Sequence, residues 1–288
     1  MPRPRIAIAT CSGYDDLKVD DALLREALAA RGAEAESVVW DDPEADWDGY
    51  DLCLVRSTWD YHDKHGEFLG WTRTVAAATA LRNPAATVAW NSEKTYLREL
   101  EQAGVPVVPT VWVEPGEAID AEALLAERGW AEAVVKPVVD LGAKNLHRVR
   151  AGAGEAGRAL AAVLARGAAM VQPFLTSLEA EGELSLIYLD GQLSHAVRKR
   201  PAAGDFRVQS IWGGTFEPAS PSAVATEIGD QALAQLSETP LYARVDLVTG
   251  PAGEPRLIEL ELIEPNLYLS THPIAADRLA NAVLNLLS

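Results

Sequence analysis

Apolar positions near the start of the chain come in short runs separated by amphipathic and acidic stretches. Arg5 to Thr10 alternates with a period of two, which predicts a strand, and Ala22 to Ala30 is an alanine- and leucine-rich helical stretch stopped at Arg31-Gly32. Glu36 to Trp40 and Leu52 to Val55 predict two more strands on either side of an acidic loop. This alternation of strand, helix and strand implies a small α/β domain with a parallel sheet, in which ligands sit beyond the carboxyl ends of the strands. One such end carries Arg56-Ser57-Thr58-Trp59-Asp60-Tyr61-His62. Two readings of it stand side by side: a capping loop with Trp59 packed as a plug, or a substrate loop with Arg56 as an anion anchor.

Beyond Asn83-Pro84, an amphipathic helix is predicted over Tyr96 to Gln102, ended by Gly104 and capped by Ser92 or Asn91. A domain boundary near residue 90 fits this break. From Val107 to about Gln172 the pattern reads strand, turn, helix, strand at Ala133 to Val135, then a second strand and helix, which describes a compact inserted lobe. The remainder is antiparallel in character. Glu183 to Leu189 and Gln192 to Arg198 flank Asp190-Gly191, a strong hairpin signal. Stepping outward from that two-residue loop pairs Glu183 with Arg198. It places Leu184, Leu186, Tyr188, Leu193 and Val197 on an apolar face, and Glu183, Ser185 and Arg198 on a polar one. A second hairpin joins Tyr242 to Val248 with Arg256 to Ile263. It sets Asp246 roughly opposite Glu259, with Glu259 and Glu261 on one face. Three carboxylates in otherwise apolar strands repel unless a cation sits between them, and Mg²⁺ with nucleotide phosphates suits an all-oxygen set.

Composition narrows the class. The 288 residues are 48% hydrophobic and 23% charged, as in an ordinary globular chain, and the length suggests about two domains. The division predicted is an N-terminal domain over 1–90 and a second unit of two lobes, 91–170 and 171–288. With 25 Lys and Arg against 42 Asp and Glu the net charge is −17, which disfavours nucleic acid and anionic membrane surfaces as partners. Cys11 and Cys53 are far apart and outside any zinc spacing, so they read as buried thiols in a reducing, cytoplasmic setting. The longest apolar stretch, Val75 to Leu81, is far short of the roughly 20 residues of a membrane span.

Gly152-Ala153-Gly154-Glu155-Ala156-Gly157 matches a dinucleotide-binding spacing, which keeps an NAD(P)-dependent oxidoreductase among the alternatives. Against it, the apolar strand Ala169 to Val171 ends in Gln172-Pro173, where a ribose-binding carboxylate is expected. No Walker-type phosphate loop, nucleophile elbow or His-Glu-x-x-His is present. The five His are scattered, and His195 falls on the apolar hairpin face.

What remains is an order: Lys94, Lys136 closing an apolar strand, a short loop, Gln172-Pro173-Phe174-Leu175, Glu183, Arg198, then Asp246, Glu259 and Glu261. In that order the chain resembles the ATP-grasp superfamily in its glutathione-synthetase-like branch. The resemblance rests on Val134-Val135-Lys136-Pro137, Val171-Gln172-Pro173-Phe174-Leu175, Gly182-Glu183, and Asp246 followed by Leu257-Ile258-Glu259-Leu260-Glu261. The Arg56-to-Tyr61 loop further resembles the subgroup containing the ligase that closes the D-cycloserine ring from O-ureidoserine, an antibiotic-forming step.

The resemblance implies an α/β fold of α+β lobes, an ATP-grasp unit behind a Rossmann-like pre-ATP-grasp domain. It implies an ADP-forming carboxylate-amine ligase that works through an acyl phosphate, with ATP and two Mg²⁺. It assigns Lys94 and Lys136 to the phosphates, Gln172 to the adenine amino group, the backbone of Phe174 and Leu175 to the adenine edge, and Glu183 to the ribose. Asp246, Glu259 and Glu261 hold Mg²⁺, and Arg198 sits near the transferring phosphoryl group. Arg207, with Gly213-Gly214, closes the acceptor site, and Arg56 and Trp59 reach a small amino-acid-like substrate. Two features depart from the pattern: the loop Val138 to Lys144 holds a single Gly, and the last metal position is Glu261 where Asn is common. The acceptor, the oligomeric state, a homo-oligomer included, and a non-catalytic nucleotide module all stay open at this point.

Overall fold

The computed structural model describes residues 2–14 and 19–287. Its first unit runs β1 (Arg5–Thr10), α1 (Val19–Ala29), β2 (Glu34–Val39), β3 (Leu52–Ser57), α2 (His65–Ala78) and β4 (Ala80–Arg82). The strands lie in the order β2-β1-β3-β4 with parallel pairing throughout. Helix α2 was not legible in the pattern. It buries only Phe68, Thr72 and Val75, and its exposed alanines blur the period of the face that meets Trp40 and Tyr61.

The chain then makes α3 (Ala85–Asn91) and α4 (Tyr96–Gln102). Because α3 extends through Asn91 and Ser92 ends it, neither caps α4, whose N-cap is Thr95. Asn91 has a different task. Its side chain donates to the Leu260 carbonyl at 2.8 Å and accepts from the Leu262 amide at 2.8 Å. Asn83 does the same one step away, donating to the carbonyls of Tyr242 and Leu262 at 2.9 and 2.7 Å and accepting from the Leu241 amide at 2.8 Å. Each buried side-chain amide thus satisfies backbone groups of the C-terminal sheet that would otherwise be unpaired.

A central lobe follows: β5 (Val111–Val113), α5 (Ala121–Arg128), β6 (Glu132–Pro137), β7 (His147–Arg150), α6 (Ala156–Leu164) and β8 (Ala169–Pro173). Its sheet is antiparallel in the order β5-β8-β6-β7, with a core of its own built on Val113, Leu125, Val135 and Leu160. This topology removes the dinucleotide reading. The glycine motif follows an antiparallel edge strand, and the Glu122 carboxylate already accepts from the amides of Gly152 at 2.8 Å and Ala156 at 3.2 Å.

The last unit holds α7 (Ser177–Ala180), β9 (Glu183–Leu189), β10 (Gln192–Arg200), β11 (Thr215–Ala219), α8 (Ala223–Leu233), β12 (Tyr242–Thr249), β13 (Pro255–Glu261) and α9 (Ala275–Asn285). Its five strands run antiparallel in the order β11-β10-β9-β12-β13. The Asp190-Gly191 turn is as predicted, with Leu189 opposite Gln192, but the register shifts between Leu193 and His195. Beyond that bulge Val197 faces Ser185, Arg198 faces Leu184 and Lys199 faces Glu183. The predicted pairing of Glu183 with Arg198 is therefore corrected: one extra residue turns every later side chain of β10 to the other face. One face of the sheet packs Leu184, Leu186 and Tyr188 on α8, while Ile187, Val197 and Tyr242 share a core with α1, α9 and the N-terminal strands.

Candidate active site

At one end of that second face, β9, β10, β12 and β13 present a floor of alternating charges. Asp246 faces Glu259 across β12 and β13, and ligand oxygens of Asp246, Glu259 and Glu261 lie within 4.8 Å of one another. Arg244, two residues before Asp246 and so on the same face, donates to Asp246 at 2.8 Å and to Glu261. Lys199 pairs with Glu183 and lies 3.2 Å from Asp246, which also accepts from Ser185 Oγ at 2.5 Å. Lys94, at the start of α4, lies 3.1 Å from Glu259 and donates to the Asp140 carbonyl at 2.8 Å.

Burial opposes every charge here, so the neighbours decide the balance. Burial pushes the Asp246 carboxyl up, but Arg244 and Lys199 outweigh it and hold the group below its ordinary value. For Glu261 and Glu183 burial prevails over Arg244 and Lys199, respectively, and both carboxyls are raised. Three clustered carboxylates of which one resists ionisation fit a hard divalent cation bound through oxygen, whose charge relieves their repulsion.

The central lobe faces this floor with Lys136, which is 8% exposed. Among the described residues no hydrogen bond or ion pair reaches its ammonium, and burial lowers its pKa. A buried cation that the charges of Glu259, Glu183 and Asp140 favour but, among the described residues, do not pair with directly fits a phosphate. On β8, facing β6, Gln172 is anchored through Nε2 to Thr110 Oγ1 at 2.9 Å. The Phe174 amide is spent on the Glu132 carbonyl at 2.9 Å, whereas no hydrogen bond among the described residues uses the Leu175 amide.

Not every expected residue reaches the floor. Arg198 lies on the opposite face of β10, half-buried, where its Nη1 donates to the Glu181 carbonyl at 3.3 Å, and Lys199 occupies the place expected of it. Arg207 is held by Asp205 at 2.7 Å and stacks over Trp212 at 3.5 Å. The indole of Trp212 donates to the Gly142 carbonyl at 2.8 Å, so this segment clasps the glycine-poor loop. Arg56 is only 3% exposed. Its Nε donates to Asp21 at 2.8 Å, its Nη2 to the Pro265 carbonyl at 3.0 Å, and its guanidinium lies over the Tyr242 ring at 4.9 Å. It braces the N-terminal sheet against the C-terminal lobe. Trp59 is half-buried against Tyr14 and donates to the Glu264 carbonyl at 3.1 Å. Sequence reasoning missed Arg244, which the period-two pattern around Asp246 had in view, and Lys199, which the unannounced bulge concealed.

Two family models match the chain: the D-cycloserine synthetase N-terminal domain over residues 6–83, and the prokaryotic glutathione synthetase ATP-grasp domain over residues 113–265. The cycloserine biosynthesis protein DcsG of Streptomyces lavendulae is 33% identical, the match covering 96% of this chain and 97% of that protein. The crystal structure of D-cycloserine synthetase DcsG superposes with a TM-score of 0.88 at 32% identity over 99% of this chain and all of that one. A RimK-domain ATP-grasp protein from Sphaerobacter thermophilus shares the fold with a TM-score of 0.71 at 22% identity, covering 97% of this chain and 99% of that one.

Proposed function

The chain belongs to the ATP-grasp ligases, the family of carboxylate-amine ligases that release ADP and phosphate, and from that premise we propose that it closes a ring within an O-ureidoserine-like amino acid. The observation that carries the chemistry is the opposition of the Asp246, Glu259 and Glu261 floor to a buried Lys136 that makes no ion pair among the described residues. The choice of acceptor rests on likeness to D-cycloserine synthetase through both the N-terminal domain and the ligase unit.

In this reading Lys136 and Lys94 bind the phosphates from two lobes, and Lys199 with Glu183 lines the same cleft. Gln172 and the Leu175 amide receive the adenine. The Asp246, Glu259 and Glu261 oxygens hold Mg²⁺, two ions in our reading, which when bound neutralise the phosphates against their own repulsion. A substrate carboxylate oxygen attacks the γ-phosphorus, the bond to ADP breaks, and an acyl phosphate forms. A nitrogen of the same molecule then attacks the acyl carbon, gives up its proton, and phosphate leaves. Arg244, buried and aimed at the floor, places a fixed cation where negative charge develops, and the clasped loop over 138–144 keeps water from the acyl phosphate. No nucleophilic side chain is required. A reducing, cytoplasmic setting belongs to the same reading.

The test is ADP release with Mg-ATP across O-ureidoserine, dipeptides and common amino acids each paired with an amine. Mg²⁺-dependent turnover with O-ureidoserine and no added amine is expected. A requirement for a second amine molecule would replace ring closure by intermolecular ligation.

A further inference from the structure

Every acid on the floor of the site has a cation of the protein beside it. Glu259 has Lys94, Glu261 and Asp246 have Arg244, and Glu183 has Lys199. Glu264 does not. It is 4% exposed, yet among the described residues no hydrogen bond or ion pair reaches its carboxylate. It also stands outside the group of oxygens spaced to share a metal, which is limited to Asp246, Glu259 and Glu261.

Its position is fixed by its own backbone. The Glu264 carbonyl accepts from the Trp59 indole at 3.1 Å, and the next carbonyl, Pro265, accepts from Arg56 at 3.0 Å. The two residues are thus tied to the loop at the carboxyl end of β3, where a parallel sheet places its ligand, and they follow directly on the strand carrying Glu259 and Glu261. A carboxyl this deep, with no ion pair among the described residues, carries a desolvation cost that Lys94 and Arg244 only partly offset and that a ligand cation would remove.

We propose that Glu264 receives the α-ammonium group of the amino-acid substrate and so orients its carboxylate toward the phosphates. This rests on the ligase reading above and adds to it a specificity determinant: the substrate is a zwitterionic amino acid rather than a simple carboxylic acid. Glu264 acts in binding and orientation and takes no part in proton transfer.

The full-length enzyme is assayed with Mg-ATP and two probes, O-ureidoserine and its analogue lacking the α-amino group, using wild type, Glu264→Gln and Glu264→Asp. Wild type is expected to favour the amino compound. Glu264→Gln raises KM for O-ureidoserine about 10- to 100-fold, as loss of a charge-assisted hydrogen bond does, leaves KM for Mg-ATP within about twofold, and abolishes the preference between the two probes. Glu264→Asp restores part of the preference. The proposal is overturned if Glu264→Gln keeps the full preference, or if it weakens both probes equally, which marks a structural role. Should wild type release no ADP with O-ureidoserine, the ring-closing reading fails. The Glu264 assignment is then decided by calorimetry with Mg-AMPPNP present, on alanine against propionate and serine against 3-hydroxypropionate. It stands if wild type binds the amino member of each pair more tightly and the Gln variant does not, and falls otherwise.

Discussion

The indole Nε1 of Trp212 donates to the carbonyl of Gly142 at 2.8 Å, joining two segments that are 70 residues apart and come from different lobes. Gly142 is in the left-handed region at φ +70°, and Ala143 follows at φ +56°. The loop therefore turns sharply with a single glycine, and the tryptophan holds the turn in place. Trp212→Phe keeps the ring over Arg207 but removes the donor. At about 1 kcal/mol for such a bond, Mg-ATP affinity should fall roughly 3- to 10-fold with little change in Tm. Calorimetry with Mg-AMPPNP checks this, and unchanged affinity removes the loop-holding role.

Lys136 is buried and, among the described residues, makes no hydrogen bond or ion pair, so its removal should act differently on two observables. Lys136→Ala is expected to weaken ATP binding about 10- to 100-fold, the loss of a charge-assisted contact. The nucleotide-free protein should change little in stability, because the desolvation cost of the buried ammonium is removed together with its attraction to Glu259. Thermal unfolding with and without Mg-ATP separates the two. A lower Tm without nucleotide means that Lys136 has a protein partner.

Arg56 allows the two sequence readings of its loop to be told apart. With its guanidinium on Asp21, on the Pro265 carbonyl and over Tyr242, Arg56→Ala leaves the buried Asp21 carboxylate without its cation and should cost about 3–5 kcal/mol of stability. An anion anchor for substrate would instead raise KM and leave urea unfolding unchanged.

Neighbouring residues on β10 provide a fourth comparison. Lys199→Ala should lower the rate of ADP formation about 100-fold or more, the scale of removing one electrostatic contact from a preorganised site. Arg198→Ala, whose side chain lies on the opposite face, should change it by less than about threefold on the scale of an exposed contact. Equal losses from both variants would show that the register between β9 and β10 differs from the one described here.

The contrast between those two residues marks how far the sequence was legible. Parallel strands, the Asp190-Gly191 hairpin, helix α4 and the acidic triad all follow from periods of two and 3.6 and from turn chemistry, which act locally. The bulge after Leu193 leaves no such trace: it adds a single polar residue, Ser194, and only the partner strand reveals it. Arg56 and Asn83 were opaque for another reason. A polar residue at a strand end looks the same whether it meets solvent, substrate or another domain, and the distinction lies in residues more than 150 positions away. Helix α3 was hidden because its seven residues bury only Val88 and Asn91.

The amide clamps of Asn83 and Asn91 have a mechanical consequence. They fasten the parallel sheet and α3 to the strands that carry the acidic floor, and the two sheets share one apolar core, whereas β5 to β8 enclose a core of their own. The molecule is thus an anvil and a jaw. The β3 loop and Glu264, which the proposed function gives to the amino acid, both belong to the anvil, while the jaw carries Lys136 and Gln172. Nucleotide held between the two would then be gripped by one unit that is fastened to the N-terminal sheet and one that is not.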